Sequence, residues 1–450
     1  MWGDDTFGYH LTSVTLHLIS ALLVWRFFSK LGLRFAWLGG LIFAIHPVQV
    51  ESVAWISELK NTLSLPPFLL AMCAWIDFEN RRRESDYLLA VGLFLVAMLC
   101  KISMAPFPIV ILLYAWWKRG RIGWNDLKAS APFFVISLVL GVMTILVGGW
   151  YSPGHVLIVT VPLGGFFSHL ACAGLALSFY FVHFLLPVQM LPMYPQWKLD
   201  PPSLLQFLPW PILAGLLYWF WTQRRSWGRH VLLGFGFFLL NLAPFVGVTS
   251  VTFMRFTWVM DHFLYISLLG LLGLAMAGLE QLNHRLASSM RPWLIGAVVI
   301  VTALLTIESH GYAKRFVSLE TLWTYEIQHD PDAWLAHNNL GYIMVAQAGQ
   351  AEANARSLIE QGRLSEAKAQ SLIGQARLLE AKAQFEEALR IKPDYSEAHN
   401  NLGTALWRLG QIPDAIEQYK EALYYSPDYG DARANLNGIL SIQQQAPANK

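Results

Sequence analysis

Three short polar stretches carry the side chains best suited to chemistry in this chain. His46, Glu51, Glu58 and Lys60 crowd the first, Lys101 stands alone in the second, and Arg255, Asp261 and His262 open the third. Carboxylates set beside cationic groups are the pattern expected of a general base next to a bound phosphate, here one carried by a lipid. Each residue also has a plainer reading. His46 before Pro47 can simply end a helix, Glu51 and Lys60 can be a solvated loop surface, and Asp261 can cap the helix that follows it. Lys101 resists such a reading most, because a charge inside an apolar run is costly unless it snorkels or faces a cavity.

The elements that must position these residues are written for lipid. Of 450 residues, 55% are apolar and only 14% charged, which lies outside the usual soluble range. Apolar stretches long enough to span a bilayer fall at 10–29, 61–78, 131–149, 208–222, 230–248, 262–281 and 292–308. Residues 33–45 form a shorter one. The run from 87 to 117 is interrupted by Lys101, Pro106 and Pro108 and reads as two short helices meeting at the lysine. A net charge of +2, with basic residues scattered in small clusters, excludes a nucleic-acid partner. Cys73, Cys100 and Cys172 lie inside apolar segments without metal-ligand spacing, so they read as buried thiols, and no metal is expected.

Basic loops give the expected orientation. Arg26, Lys30 and Arg34, then Arg81 to Arg83, then Lys118, Arg119 and Arg121 mark cytoplasmic loops, as do Arg224, Arg225 and Arg229, and Arg285 with Arg291. The stretch His46 to Lys60, the Lys101 turn, the loop around Tyr151 to His155, the 249–261 loop and the C-terminal domain then face the other side. The two ends of the chain agree only if residues 163–187 begin and finish on one side, as a re-entrant or interfacial helix, or if two short crossings lie between about 151 and 187. The first segment runs inward, which places Met1 outside and calls for an odd number of segments upstream.

From about residue 312 the composition shifts to Ala, Glu, Gln, Lys and Arg. Residues 396–429 make one 34-residue unit with Leu402, Gly403, Leu406, Ala415, Tyr419, Ala422 and Pro427 where a tetratricopeptide repeat (TPR) needs small or apolar contacts. An earlier unit opens with Trp334, Leu340 and Gly341 and closes with Ala381, Phe385, Ala388 and Pro393, which makes it about 28 residues too long. Residues 357–370 recur at 371–384 with 11 of 14 positions identical. Fourteen residues is close to four helical turns, so the spacing predicts one hairpin over about 334–392 with both arms lengthened and its tip near Gly362. A low-complexity coil is the alternative. Residues 318–331 look like a leading half repeat and 430–445 like a closing helix. So short an array recruits a protein partner more often than it performs chemistry.

FGYHLTSVTLH (7–17), FAIHPVQVESVAWISELKN (43–61), LCKISMAPFPIVILLYAWW (99–117), MYP (193–195) and MDHFLYISLLGL (260–271), followed by TPRs, carry a resemblance. The chain resembles the protein O-mannosyltransferase-like transmembrane and TPR-containing family. The HPVxxESVAW stretch with its downstream lysine is the specific part. The resemblance implies an all-α architecture: a polytopic, GT-C-like membrane domain over 1–311 with about ten or eleven membrane segments, then a TPR domain over 312–450. It further implies a polyprenyl-phosphate sugar such as mannose as donor substrate, no other cofactor, and transfer to protein hydroxyls on the extracytoplasmic face. Lys101 and His46 would lie near the donor phosphate with Lys60 and Arg255 as further cations. Glu51 and Asp261 would be the catalytic carboxylates, Asp261 near the mouth of the cavity. The expected location is the bacterial inner membrane with the TPRs in the periplasm.

The chain also departs from that pattern. The family's first helix and its acidic loop would precede Met1, Asp4 and Asp5 lie near the end of that loop, Ile102 stands where Glu or Pro is frequent, and His262 stands where Arg is common. Two functions from different classes follow: a membrane glycosyltransferase in contact with membrane lipid, lipid-linked sugar and an acceptor protein, or a noncatalytic membrane scaffold whose TPRs recruit a partner.

Overall fold

The computed structural model describes residues 6–151, 163–247 and 252–445. Asp4, Asp5 and most of the loop from Tyr151 to His155 lie outside them. Every regular element among the described residues is a helix, and the chain divides into two compact units, Met1–Lys314 and Arg315–Lys450.

In the first unit the helices are α1 (Thr6–Lys30), α2 (Ala36–Ile45), a single short turn of helix α3 (Val50–Ala54), α4 (Leu59–Arg81), α5 (Glu84–Cys100) and α6 (Phe107–Arg119), then α7 (Trp124–Tyr151), α8 (Phe166–Leu185), α9 (Pro209–Thr222), α10 (Gly228–Leu242), α11 (Leu264–Arg285) and α12 (Arg291–Ala313). α1 and α7–α12, counted with their flanking turns, are long and apolar enough to cross a membrane. Their outward faces are apolar: Leu138 on α7 is 68% exposed and Ile295 on α12 is 63% exposed. Such faces are stable only against hydrocarbon. Within 163–187, where a re-entrant or interfacial helix was one expectation, α8 is one unbroken helix of 20 residues, and much of the 151–187 span in which two short crossings were the other expectation lies outside the described residues.

The two ends of this unit differ in chemistry. At one end, Lys30 pairs with Asp77 at 2.6 Å, Arg119 with Glu79 and Asp126, and Arg34 with Glu280 at 3.4 Å, tying the ends of α1, α4, α6 and α11 together. At the other lie the end of α2, α3, the start of α4, the α5–α6 break and the start of α11, which hold the residues singled out above. Beside this second end, the buried His17 of α1 is 3.0 Å from the Tyr265 hydroxyl and 3.1 Å from the Ala44 carbonyl, linking α1, α11 and α2.

The second unit stacks α13 (Leu319–His329), α14 (Trp334–Glu360), α15 (Leu364–Ile391), α16 (Ser396–Arg408), α17 (Ile412–Tyr425) and α18 (Gly430–Gln445). α14 and α15 have 27 and 28 residues, whereas α16 and α17 have 13 and 14. Both hairpins turn alike. Gly362 and Gly410 take φ of +75° and +78°, the amide after each glycine donates back to Leu358 and Leu406 respectively, and the glycine amides donate to Ile359 and Trp407. This double closure is the Schellman stop, which only a residue tolerant of left-handed backbone makes without strain.

Helix contact inside each hairpin depends on a missing side chain. A Cβ on Gly403 would meet the Tyr419 ring at 2.8 Å, and one on Gly341 the Phe385 ring at 2.7 Å. Both rings are fully buried, so neither can swing out cheaply. Gly403→Ala should therefore destabilise the TPR unit by about 1–3 kcal/mol, as overpacked cores do. Thermal unfolding followed by helical circular dichroism checks this, and an unchanged transition would mean that the Tyr419 ring yields.

Candidate functional site

The site starts where α2 stops. His46 closes α2, its Nδ1 accepts the Val48 amide at 3.4 Å, and Pro47 begins the next turn. Two tight turns follow, with α3 between them. This folding back places Glu51, Glu58 and the first turn of α4 within reach of one another. In that turn, Thr62 and Ser64 return hydrogen bonds to the Leu59 and Asn61 carbonyls at 3.1 Å each.

Glu51 is fully buried and reaches the start of α11. Its Oε2 accepts the His262 amide at 3.1 Å, and its Oε1 lies 2.8 Å from His262 Nδ1. Glu58 stands on the other side of the same imidazole, 3.7 Å from Nε2, and also accepts from Asn61 Nδ2 at 2.7 Å and pairs with Lys60 at 3.1 Å. Asn61 then turns its carbonyl oxygen to Lys101, whose ammonium donates to it while lying 5.6 Å from the centre of the Phe245 ring. A continuous polar chain results: Glu51, His262, Glu58, Asn61, Lys101.

Burial pushes the Glu51 carboxyl well above the usual carboxylate range, and the nearby Glu58 pushes the same way. The Asp261 and His262 amides and Lys101 oppose this without reversing it. The carboxyl then holds a proton that it shares with His262, a neutral pairing suited to a dry site. Burial also draws Lys101 down to about 8, with Lys60 adding to the effect and Glu58 and Glu51 opposing it. Lys101 is cationic at neutral pH, yet among the described residues no ion pair joins it to a carboxylate. Its direct partner is a neutral amide.

The other nominated residues lie in different settings. His46 is driven to about 4 by burial, so it is neutral, and its Nε2 donates to the Phe184 carbonyl at 3.2 Å while Nδ1 serves Val48. Both ring nitrogens are occupied in holding the turn, and neither is free for a phosphate in this arrangement. Asp261 is buried beside His262 and accepts the Tyr194 hydroxyl at 2.9 Å and 3.1 Å; burial, with Glu51 adding to it, pushes its carboxyl well above the usual carboxylate range. Lys60 is half exposed at the rim. Arg255 is exposed, its guanidinium 5.9 Å from the Phe256 ring centre, and it makes no contact with the Glu51–Lys101 chain among the described residues. No cluster among the described residues could hold a metal ion.

Asn61 and Tyr194 were not nominated from the sequence. Asn61 follows Glu58 by three residues at a helix start, a spacing that puts both on one face. Tyr194 sits in the MYP stretch already noted, but nothing in its neighbourhood points to an aspartate 67 residues later.

Residues 1–148 match the profile of the family described as dolichyl-phosphate-mannose-protein mannosyltransferase, and residues 366–435 match a tetratricopeptide repeat profile. Over residues 1–148 the profile agrees with the resemblance that the motifs carry. Protein O-mannosyl-transferase Tmtc1 of Drosophila melanogaster is 32% identical over 22% of this chain and 12% of its own length. Tmtc3 of the same organism is 30% identical over 22% of this chain and 14% of its length. The chain thus spans well under a fifth of these curated relatives. With its long apolar helices and its repeat match, it is an integral membrane protein with a TPR domain.

Glu51→Ala would leave the buried His262 amide and ring nitrogen unpaired, at about 1–3 kcal/mol for each lost partner. Glu51→Gln keeps an acceptor and a donor in place and should cost much less. Thermal unfolding in detergent should rank wild type and Gln close together and Ala well below; equal loss for both would mean that the charged carboxylate is what holds α11.

Proposed function

We propose that this chain transfers a sugar, mannose before others, from a polyprenyl-phosphate donor to protein hydroxyl groups on the extracytoplasmic face of a membrane. The observation that carries the reading is Lys101: a buried cation that donates to the Asn61 amide and, among the described residues, forms no ion pair with a carboxylate. A phosphate would complete that pairing. The family profile names a dolichyl-phosphate mannose donor and a protein acceptor, which agrees with this chemistry. The separation of the basic end from the Lys101 end supports the choice of face.

In this mechanism an acceptor oxygen attacks the anomeric carbon, its proton passes to a carboxylate, and the bond to the phosphate oxygen breaks. Negative charge then grows on the leaving phosphate, where the Lys101 ammonium is worth most in a site shielded from water. Both Glu51 oxygens are committed to His262, so Glu51 serves as a positioning residue. Asp261 keeps lone pairs beyond those that the single Tyr194 hydroxyl uses, and burial raises its proton affinity, so in its ionised form it is the base assigned to take the proton.

Transfer of radiolabelled mannose from polyprenyl-phosphate mannose to a serine- and threonine-rich peptide, with the chain in lipid nanodiscs, tests the proposal. Lys101→Ala should lower kcat/KM by about 100-fold or more. Because only the protonated lysine attracts phosphate, wild-type kcat/KM should fall as pH rises through about 8. Lys101→Arg should move that fall to higher pH. Transfer indifferent to Lys101 would remove it from the donor site, and no transfer by the folded wild type would favour a noncatalytic scaffold.

A further inference from the structure

The long helix α15 carries two apolar stripes, and α14 covers only one of them. Gly374, Leu378, Ala381 and Phe385 lie on the covered side and are buried. The second stripe is Ala369, Leu372, Ala376, Leu379 and Ala383, all exposed, with Leu372 at 58% and Leu379 at 54%. At 3.6 residues per turn the two stripes lie on opposite sides of the helix.

The exposed stripe has the spacing of a coiled-coil seam. Its steps of three and four residues put Ala369, Ala376 and Ala383 at the a positions of a heptad and Leu372 and Leu379 at the d positions. The two 14-residue copies differ at three positions, and two of these differences fall on the stripe: Gly362 corresponds to Ala376 and Ser365 to Leu379. Helix propensity accounts for the alanine. It does not account for a leucine on an exposed face where the other copy has serine, and a contiguous apolar stripe of this kind marks a contact surface.

The edges of the stripe select what covers it. Lys368, Gln375 and Lys382 stand along one edge and Glu366, Ile373, Glu380 and Glu387 along the other, each set at steps of seven residues. In a parallel pair of such helices the first edge of one meets the second edge of the other, which brings Lys382 beside Glu387 of the second copy and Gln375 beside Glu380. An antiparallel pair would set lysine edge against lysine edge. The stripe therefore complements a parallel copy of itself, leucine layers facing leucine and alanine layers allowing close approach, as a two-fold contact requires.

We propose that two copies of this chain pair through the exposed stripe of α15, parallel and in register. The seam is only about 20 Å long, so it is weak between chains free in solution and acts at the concentration that a shared membrane imposes. The proposal concerns the second unit alone and stands whether or not the membrane unit transfers sugar.

Disulfide trapping of the full chain in phospholipid vesicles, at a low ratio of protein to lipid, tests it. At a d layer the two copies of residue 372 come close enough for a disulfide between cysteines placed there. Mild oxidation of Leu372→Cys should give a dimer on non-reducing gels about tenfold above wild type, the blank for the native cysteines, and above Ser371→Cys, an exposed site one residue round the helix. Adding Ala376→Glu should lower that yield about tenfold with an unchanged melting temperature, because it sets like charges in the seam while facing away from α14. Equal yields at 371 and 372, or a yield indifferent to Ala376→Glu, overturn the proposal. So does a dimer that forms only when chains with Leu372→Cys and chains with Leu379→Cys are mixed, which is the mark of an antiparallel pair.

Discussion

Glu51 holds together two parts of the membrane unit that lie 211 residues apart in the chain. Its carboxyl takes both the main-chain amide and the ring of His262, so the short helix after α2 and the start of α11 are locked by one side chain. The site is then built outward from that lock. With His262 fixed, Glu58 has a partner on its inner side; with Glu58 fixed, Asn61 is oriented; and Asn61 in turn presents its oxygen to Lys101. A buried polar chain of this kind is stable only when each member is satisfied by the next. The arrangement at Lys101 is therefore inherited from contacts made three residues away along the chain of bonds.

The all-helical architecture was legible in the sequence because lipid leaves few choices. Backbone groups in hydrocarbon must pair within their own segment, so long apolar runs read directly as helices. The TPRs were legible for a different reason: Gly403 and Tyr419, or Gly341 and Phe385, are a groove and its filling at fixed spacing, and no other common fold asks for that pairing. The site was less legible. Composition and spacing can nominate a lysine in an apolar run, but they cannot say that its partner is the amide of Asn61, nor that His46 spends both nitrogens on a turn. Those facts depend on where chain segments far apart in sequence come to rest. Asp261 and His262 show the limit most clearly, since two adjacent residues look into different surroundings.

Two kinds of electrostatic arrangement coexist in the membrane unit. At the basic end, carboxylates and cations meet directly, Lys30 with Asp77 and Arg119 with Glu79 and Asp126, and these pairs close off the helix ends. Around Lys101 the charges are instead kept one neutral group apart. Direct pairs are self-sufficient and serve as fasteners, whereas a cation held by an amide keeps most of its attraction for an incoming anion.

The long hairpin of the second unit has a mechanical side. Arg408 of α16 reaches Val345 and Glu352 of α14, and Arg377 of α15 reaches Glu320 of α13, so by these contacts the neighbouring helices brace the hairpin as far out as Glu352 and Arg377. Beyond those contacts α14 and α15 have only each other, sealed by small residues such as Ala355 and Ala367. At 1.5 Å per residue the arms run about 40 Å, and their outer part is a two-layer ribbon. Such a ribbon is stiff in the plane that holds both helices and compliant across its thin direction, as a leaf spring is. Each pair of 14-residue copies, one per arm, lengthens the spring by about 20 Å without turning its sealed face, so duplication of that segment sets reach and compliance in fixed steps while the clamped base stays the same.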